Sequence, residues 1–213
     1  MIRVRGEASS QCSPDLATLT VTLHRAGGSA DVVRSDLAIA AAEVAALLEP
    51  VHTALESSST SGLHVAPVYD GATRARVTGY RGSYAATLVV ADFDALSPLV
   101  VAVAAVAGVE VDGHWWSLRP GNPAYRQVRL DAVTDARRRA EDYAAAFGAT
   151  VVDVLEIADQ EAGGGGGFAR SSVMARAPQA ETVGLNFDPA PQTVTGQVTV
   201  RFVMSPPVLD TAL

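Results

Sequence analysis

The sequence predicts an α+β fold: an antiparallel sheet covered by helices, in one domain. Three observations point there. Stretches with apolar residues at every second position recur, each with one polar face, as half-buried antiparallel strands do. Stretches with apolar residues every three or four positions stand among them, each with one apolar stripe. A connection of about ten residues containing Gly71 joins two of the alternating stretches and makes them an antiparallel hairpin. A sheet face and a helix stripe must each be covered once, and layering one on the other does both.

Taken in order, Ile2, Val4 and Gly6 begin a short first strand. Ala17, Leu19, Val21 and Leu23 alternate with Thr18, Thr20, Thr22 and His24, a half-buried second strand. Gly27-Gly28 breaks it, and Ser29 caps a helix in which Val33, Leu37, Ala40, Val44, Leu47, Val51 and Leu55 keep helical spacing. Pro50 falls inside that pattern, so the helix should kink or end near Glu49. Ser57 to Gly62 reads as a polar turn. Leu63, Val65, Pro67 and Tyr69 then suggest a strand, placed at an edge or bulge by Pro67. Tyr80, Gly82, Tyr84, Ala86, Leu88 and Val90 line one face of its hairpin partner. Asp92 to Ala107 is a second helix, started by Ser97-Pro98 and closed by Gly108, and Val109 to Leu118 is a strand holding Trp115 and Trp116.

The third helix has both ends written into the sequence. Asn122 caps its first turn, Pro123 sits where a missing N–H costs nothing, and Gly148 supplies the left-handed residue that ends it. Tyr125, Val128, Ala132, Ala136, Ala140, Tyr143 and Phe147 form its apolar face. Burying the larger of these is worth about 1.5–3 kcal/mol each at most. Fixing the helix backbone costs more than that sum, so the face needs a sheet. Thr150 to Ala158 is the next strand, and Thr193 to Met204 is the last and most regularly alternating. Between them Asp159 to Gln192 contains Gly163 to Gly167 and several prolines. Such a composition buries too little apolar surface to offset ordering the backbone, at about 1–2 kcal/mol per residue, and reads as a mobile loop. The domain therefore spans residues 1–206, with the insertion at 159–192 and a tail at 207–213.

Composition removes several functions. The chain has 213 residues, 48% hydrophobic and 18% charged, which is globular. A net charge of −7 argues against a general nucleic-acid binder and against anionic membrane surfaces. All 16 basic residues are arginine, so Schiff-base chemistry on a lysine and a Walker A loop are both excluded. Cys12 is the only cysteine, which rules out an intrachain disulfide and a cysteine-based metal cluster. The run Leu99 to Ala107 is too short to span a bilayer. Met1 to Gly6 alternates apolar and charged residues where a signal peptide has an unbroken apolar run, so the expected location is the cytoplasm.

Candidate chemistry is sparse. The glycine run leads on to Pro178 and more loop instead of an amphipathic helix, which is the wrong context for a dinucleotide fingerprint. His24, His52, His64 and His114 have no metal-ligand spacing; His64, His114 and Asp112 form a zinc site only if the fold gathers them. Asp131, Asp135, Glu141 and Asp142 share a helix face with arginines that lower carboxylate pKa values, so they read as a solvated face. Ser57 to Ser61 has no nucleophile elbow. Trp115-Trp116 is the more informative pair. Adjacent strand residues face opposite sides, so one indole packs inside and the other is available to a partner, unless the strand is covered on both faces.

The ordered set of elements resembles the SIMPL domain family, also called DUF541. The resemblance begins at Ile2-Arg3-Val4-Arg5-Gly6 and Ser13-Pro14-Asp15, and continues through Tyr80 and Gly108-Val109 to Gly113 and Trp116-Ser117-Leu118. It is strongest in Asp135-Ala136-Arg137, Ala140-Glu141 and Phe147-Gly148, and the closing strand Val198 to Val203 also fits. It implies an α+β fold. It also points to bacterial proteins of the envelope, some of them ring-like or channel-like oligomers and some linked to oxidative-stress tolerance, and to an animal signalling protein associated with a Pelle-like kinase. It brings no catalytic residue with it. The expectation is a non-enzymatic, self-associating protein with a stress-protective or scaffolding role, using no cofactor and no metal. Its partner is a second copy of itself, in a homo-oligomer with an exposed strand edge or an aromatic from Trp115-Trp116 in the contact. The rival is an enzyme or small-ligand binder with a site assembled from distant strands; a third reading is an exported envelope oligomer.

Overall fold

The computed structural model describes residues 1–70, 76–159 and 187–208. In chain order the elements are β1 (Ile2–Cys12), β2 (Leu16–Gly27), α1 (Ala30–Leu48), β3 (Leu55–Tyr69), β4 (Val77–Val90), α2 (Leu96–Ala104), β5 (Val109–Ser117), α3 (Pro123–Ala146), β6 (Val151–Asp159) and β7 (Gln192–Met204). The fold is α+β and its strand pairs are antiparallel. The single sheet expected from the sequence is, however, two. Each sheet belongs to its own compact unit: β2 to β5 with α1 and α2, and β1, β6 and β7 with α3. Alternation along a strand tells which side chains are buried but not which strand it pairs with, and that is why the division escapes the sequence.

In the first unit the strand order is β3-β4-β2-β5. Ala17, Leu19, Val21 and Leu23 of β2 are buried with Leu88 and Val90 of β4 beneath α1 and α2, and the threonines of β2 lie on the other face. Ser29 accepts the N–H of Val32 as the cap of α1, which buries Val33, Leu37, Ala40 and Val44. α1 stops at Leu48, where Pro50 turns the chain into a tighter 3-10 turn, Glu49–Ala54. By length and composition Ala30–Ala54 is apolar enough to cross a bilayer; here one face of it is core. Pro67 lies on β3, an edge strand, and β3 and β4 form the expected antiparallel pair.

Two expectations need correction in this unit. Ser57 to Gly62 is not a turn but part of β3, paired with β4 around bulges that leave Glu56 and Ser61 unmatched. An edge strand can be polar throughout, because pairing on one side is enough to hold it. The second helix is also shorter than expected. Asp92, not Ser97, supplies the cap by accepting the N–H of Asp94 ahead of a 3-10 turn at Phe93–Ala95, and α2 follows.

In the second unit the order is β1-β7-β6, with α3 packed on one face. Asn122 accepts the N–H of Ala124, Pro123 opens the helix, and Gly148 follows its end at φ +63°. The buried stripe is Val128, Ala132, Ala136, Ala140 and Ala144; Tyr125, Tyr143 and Phe147, expected within it, are exposed. The cause lies on the strands. A Cβ on Gly196 would sit 2.6 Å from the Val128 carbonyl oxygen, and one on Gly6 would sit 2.7 Å from the Ala136 nitrogen. The helix backbone rests on the sheet at two glycines, so alanine fits the seam and rings are turned to its flanks. Residues 160–186, which hold the glycine run of the expected mobile loop, and 209–213 of the tail lie outside the described residues.

Candidate functional site

A bulge in β5 lies immediately before the two indoles. Thr18 pairs with Trp115 and Leu19 with Gly113, so His114 is the extra residue. Gly113 and His114 take φ +91° and +146°, and for a non-glycine such a conformation costs about 1–3 kcal/mol. Trp116, opposite Ala17, turns onto the core face and meets Phe93 edge-on with ring centroids 4.8 Å apart. The His114 ring lies edge-on to Trp116 at 5.4 Å and to Phe187 at 4.8 Å. Trp115, opposite Thr18, stays 38% exposed with its ring over Gly113.

The ends of β2 and β5 are tied beside this cluster. Asp15 donates its N–H to the Ser117 carbonyl at 2.9 Å, and its carboxylate accepts the N–H of Arg119 at 2.8 Å. The Arg119 side chain forks onto Glu56, Nε to Oε1 at 3.3 Å and Nη2 to Oε2 at 2.8 Å. The hydrogen bonds and charge of Arg119 hold the Glu56 carboxyl below its ordinary range, and the Glu56 carboxylate raises Arg119.

A second feature is a hollow of about 140 Å³ between α1 and the strands beneath it. Val21, Leu23 and Ala86 form its floor, and Ala41, Val44, Ala45 and Leu48 its helical wall. Ser58, Ser59, Thr60 and Tyr84 complete it, with the Thr60 and Tyr84 hydroxyls hydrogen-bonded at 2.7 Å.

A family model described as SIMPL, protein of unknown function (DUF541), matches residues 2–202. The chain belongs to the SIMPL family. No curated protein matches it.

The positions that carry the family likeness are largely structural in this SIMPL protein. Asp15 anchors two strands, Gly6 admits the helix, Ala136 and Ala140 line the seam, and Gly148 ends α3. Asp135 accepts the Glu7 N–H at 3.2 Å and an Arg138 hydrogen bond at 3.1 Å, and these, with Arg139 nearby, hold its carboxyl below the ordinary value. For Asp135 the largest of these influences is the strand amide of Glu7, ahead of the arginines. Arg138 turns to Asp135 at i−3, and Glu141 pairs with Arg137. His64 on β3 and His114 on β5 stand at opposite edges of a four-stranded sheet and are not gathered. His24 pairs with Glu110, and His52 contacts the Glu49 carbonyl. The Cys12 thiol faces the Gln192 carbonyl at 3.7 Å. Sequence reasoning missed the hollow. Its trace in the chain is small residues, Ala41 and Ala45 one helical turn apart on α1 and Ala86 on β4.

Proposed function

We propose that this SIMPL protein is a non-enzymatic, self-associating protein with a scaffolding or stress-protective role, assembling through the outer edge of β6. The supporting observation is the contrast between the two edges of its three-stranded sheet. On β1 the Arg5 carbonyl accepts from Arg139 at 2.8 Å and the Glu7 N–H donates to Asp135 at 3.2 Å, so side chains of α3 cover that edge at Arg5 and Glu7, whereas on β6 the one such bond among the described residues is local, from the Val154 N–H to the adjacent Asp153 carboxylate at 2.8 Å. On β6 Val152 is 59% exposed, Val154 46%, Leu155 54% and Ile157 60%. Val152 and Leu155 are the unmatched residues of two bulges against β7. Exposed apolar strand edges invite pairing with another chain unless they are covered, and a second copy is the partner always at hand.

Within this sheet the α3-covered edge at β1 and the apolar edge at β6 favour an isologous contact, β6 against β6, which ends at a closed pair instead of growing into a filament. Light scattering at micromolar concentration tests the reading. The wild type should have a mass above that of one chain, and Leu155→Lys should lower it without changing the circular dichroism spectrum. A wild-type monomer would overturn it.

A further inference from the structure

We propose that the hollow between α1 and the β2, β3 and β4 strands binds a small neutral molecule of one ring bearing a hydroxyl, of the phenol or benzyl alcohol class. The argument starts from size. The hollow measures about 140 Å³ and opens to solvent on the side of Ala45, Ser58, Ser59 and Thr60, which are exposed. Apolar cavities of roughly 150 Å³ admit a benzene-sized guest. The space exists because three alanines, Ala41, Ala45 and Ala86, face it. Further along the same helix Val33 and Leu37 fill the equivalent position and are buried.

The chemistry of the wall selects among guests of that size. Among the described residues lining the hollow none is charged, so an ionised ligand would lose its hydration and gain no counter-charge. A wholly apolar guest would leave the hydroxyl side unused. Thr60 and Tyr84 are hydrogen-bonded to each other at 2.7 Å. Two hydroxyls hold two protons, and the bond between them uses one. The other proton and the remaining lone pairs can serve a third hydroxyl, so the pair can donate to the guest or accept from it. A ring against Val21, Leu23 and Ala86 with its hydroxyl at Thr60 and Tyr84 satisfies both halves of the site. This inference stands apart from self-association, because its residues all lie in the β2–β5 unit and not on β6.

The test is methyl-detected NMR of the full chain titrated with phenol and, separately, with toluene. The expected result is saturable shifts from phenol at the methyls of Val21, Leu23, Val44 and Leu48. Ala45 is an exposed position on the rim, so Ala45→Phe should fill the hollow, leave the fold intact and abolish those shifts. Tyr84→Phe should weaken phenol about three- to tenfold, the worth of one neutral hydrogen bond, and leave toluene unchanged. Shifts that rise linearly and spread over the surface would overturn the proposal. So would phenol binding that survives Ala45→Phe, or a Tyr84→Phe effect that is absent or equal for both probes.

Discussion

At Gly196 an added Cβ would meet the Val128 carbonyl at 2.6 Å, and at Gly6 it would meet backbone atoms of Ala132 and Ala136. The obstacle at both positions includes helix backbone, which cannot swing aside as a side chain does. Gly196→Ala should therefore cost about 1–3 kcal/mol, as overpacking does, measured by urea unfolding; an unchanged midpoint would show that α3 does not rest on the sheet there. Two carboxylates contribute to the response to acid. Glu56 and Asp135 both have folded pKa values below their unfolded ones, which lie near about 4. A lowered carboxylate contributes stability above its unfolded pKa and loses it as pH falls through the folded one. The stability difference between wild type and Asp135→Asn should accordingly shrink as pH drops from about 6 toward 3. A difference independent of pH would remove the carboxylate's charge from the account.

At the scale of elements, legibility follows how local the cause is. The caps of α1 and α3 and the stop at Pro50 depend on neighbours in sequence, and each stands where the residues place it. The split of Trp115 and Trp116 between two faces is likewise a property of any strand. The strand at Ser57 to Gly62 was illegible because β4, not the serines, makes it a strand. Tyr143 and Phe147 keep perfect helical spacing yet miss the stripe, since distant strand glycines decide how near the helix comes. The hollow under α1 was hidden for a similar reason: an alanine on the sheet-facing side of a helix does not announce whether its neighbours close over it. For β6, the exposed Ile157 gives a prediction at this scale. Ile157→Lys should leave the thermal midpoint within about 0.5 kcal/mol equivalent of wild type, as substitutions at exposed sites do, while reducing association. A large loss of stability would mean that β6 is core and not a contact edge.

For the whole molecule, the decisive quantities are charge and the open edge. Each copy carries a net charge of −7, and β6 itself holds Asp153, Glu156 and Asp159. Glu156 is partly neutralised by Arg201 at 3.1 Å. Two such edges repel at long range and attract on contact, so association should strengthen as salt rises from about 0.01 M, where charges are felt over about 30 Å, to about 0.15 M, where the range is about 8 Å. An assembly held by surface ion pairs would weaken over the same range. The measurement that bears most directly on self-association through β6 is multi-angle light scattering of wild type and Leu155→Lys at micromolar concentration and physiological salt. The account predicts at least twice the 22.0 kDa chain mass for the wild type and a mass near 22.0 kDa for the variant. A wild type at 22.0 kDa, or a variant as large as the wild type, would contradict it.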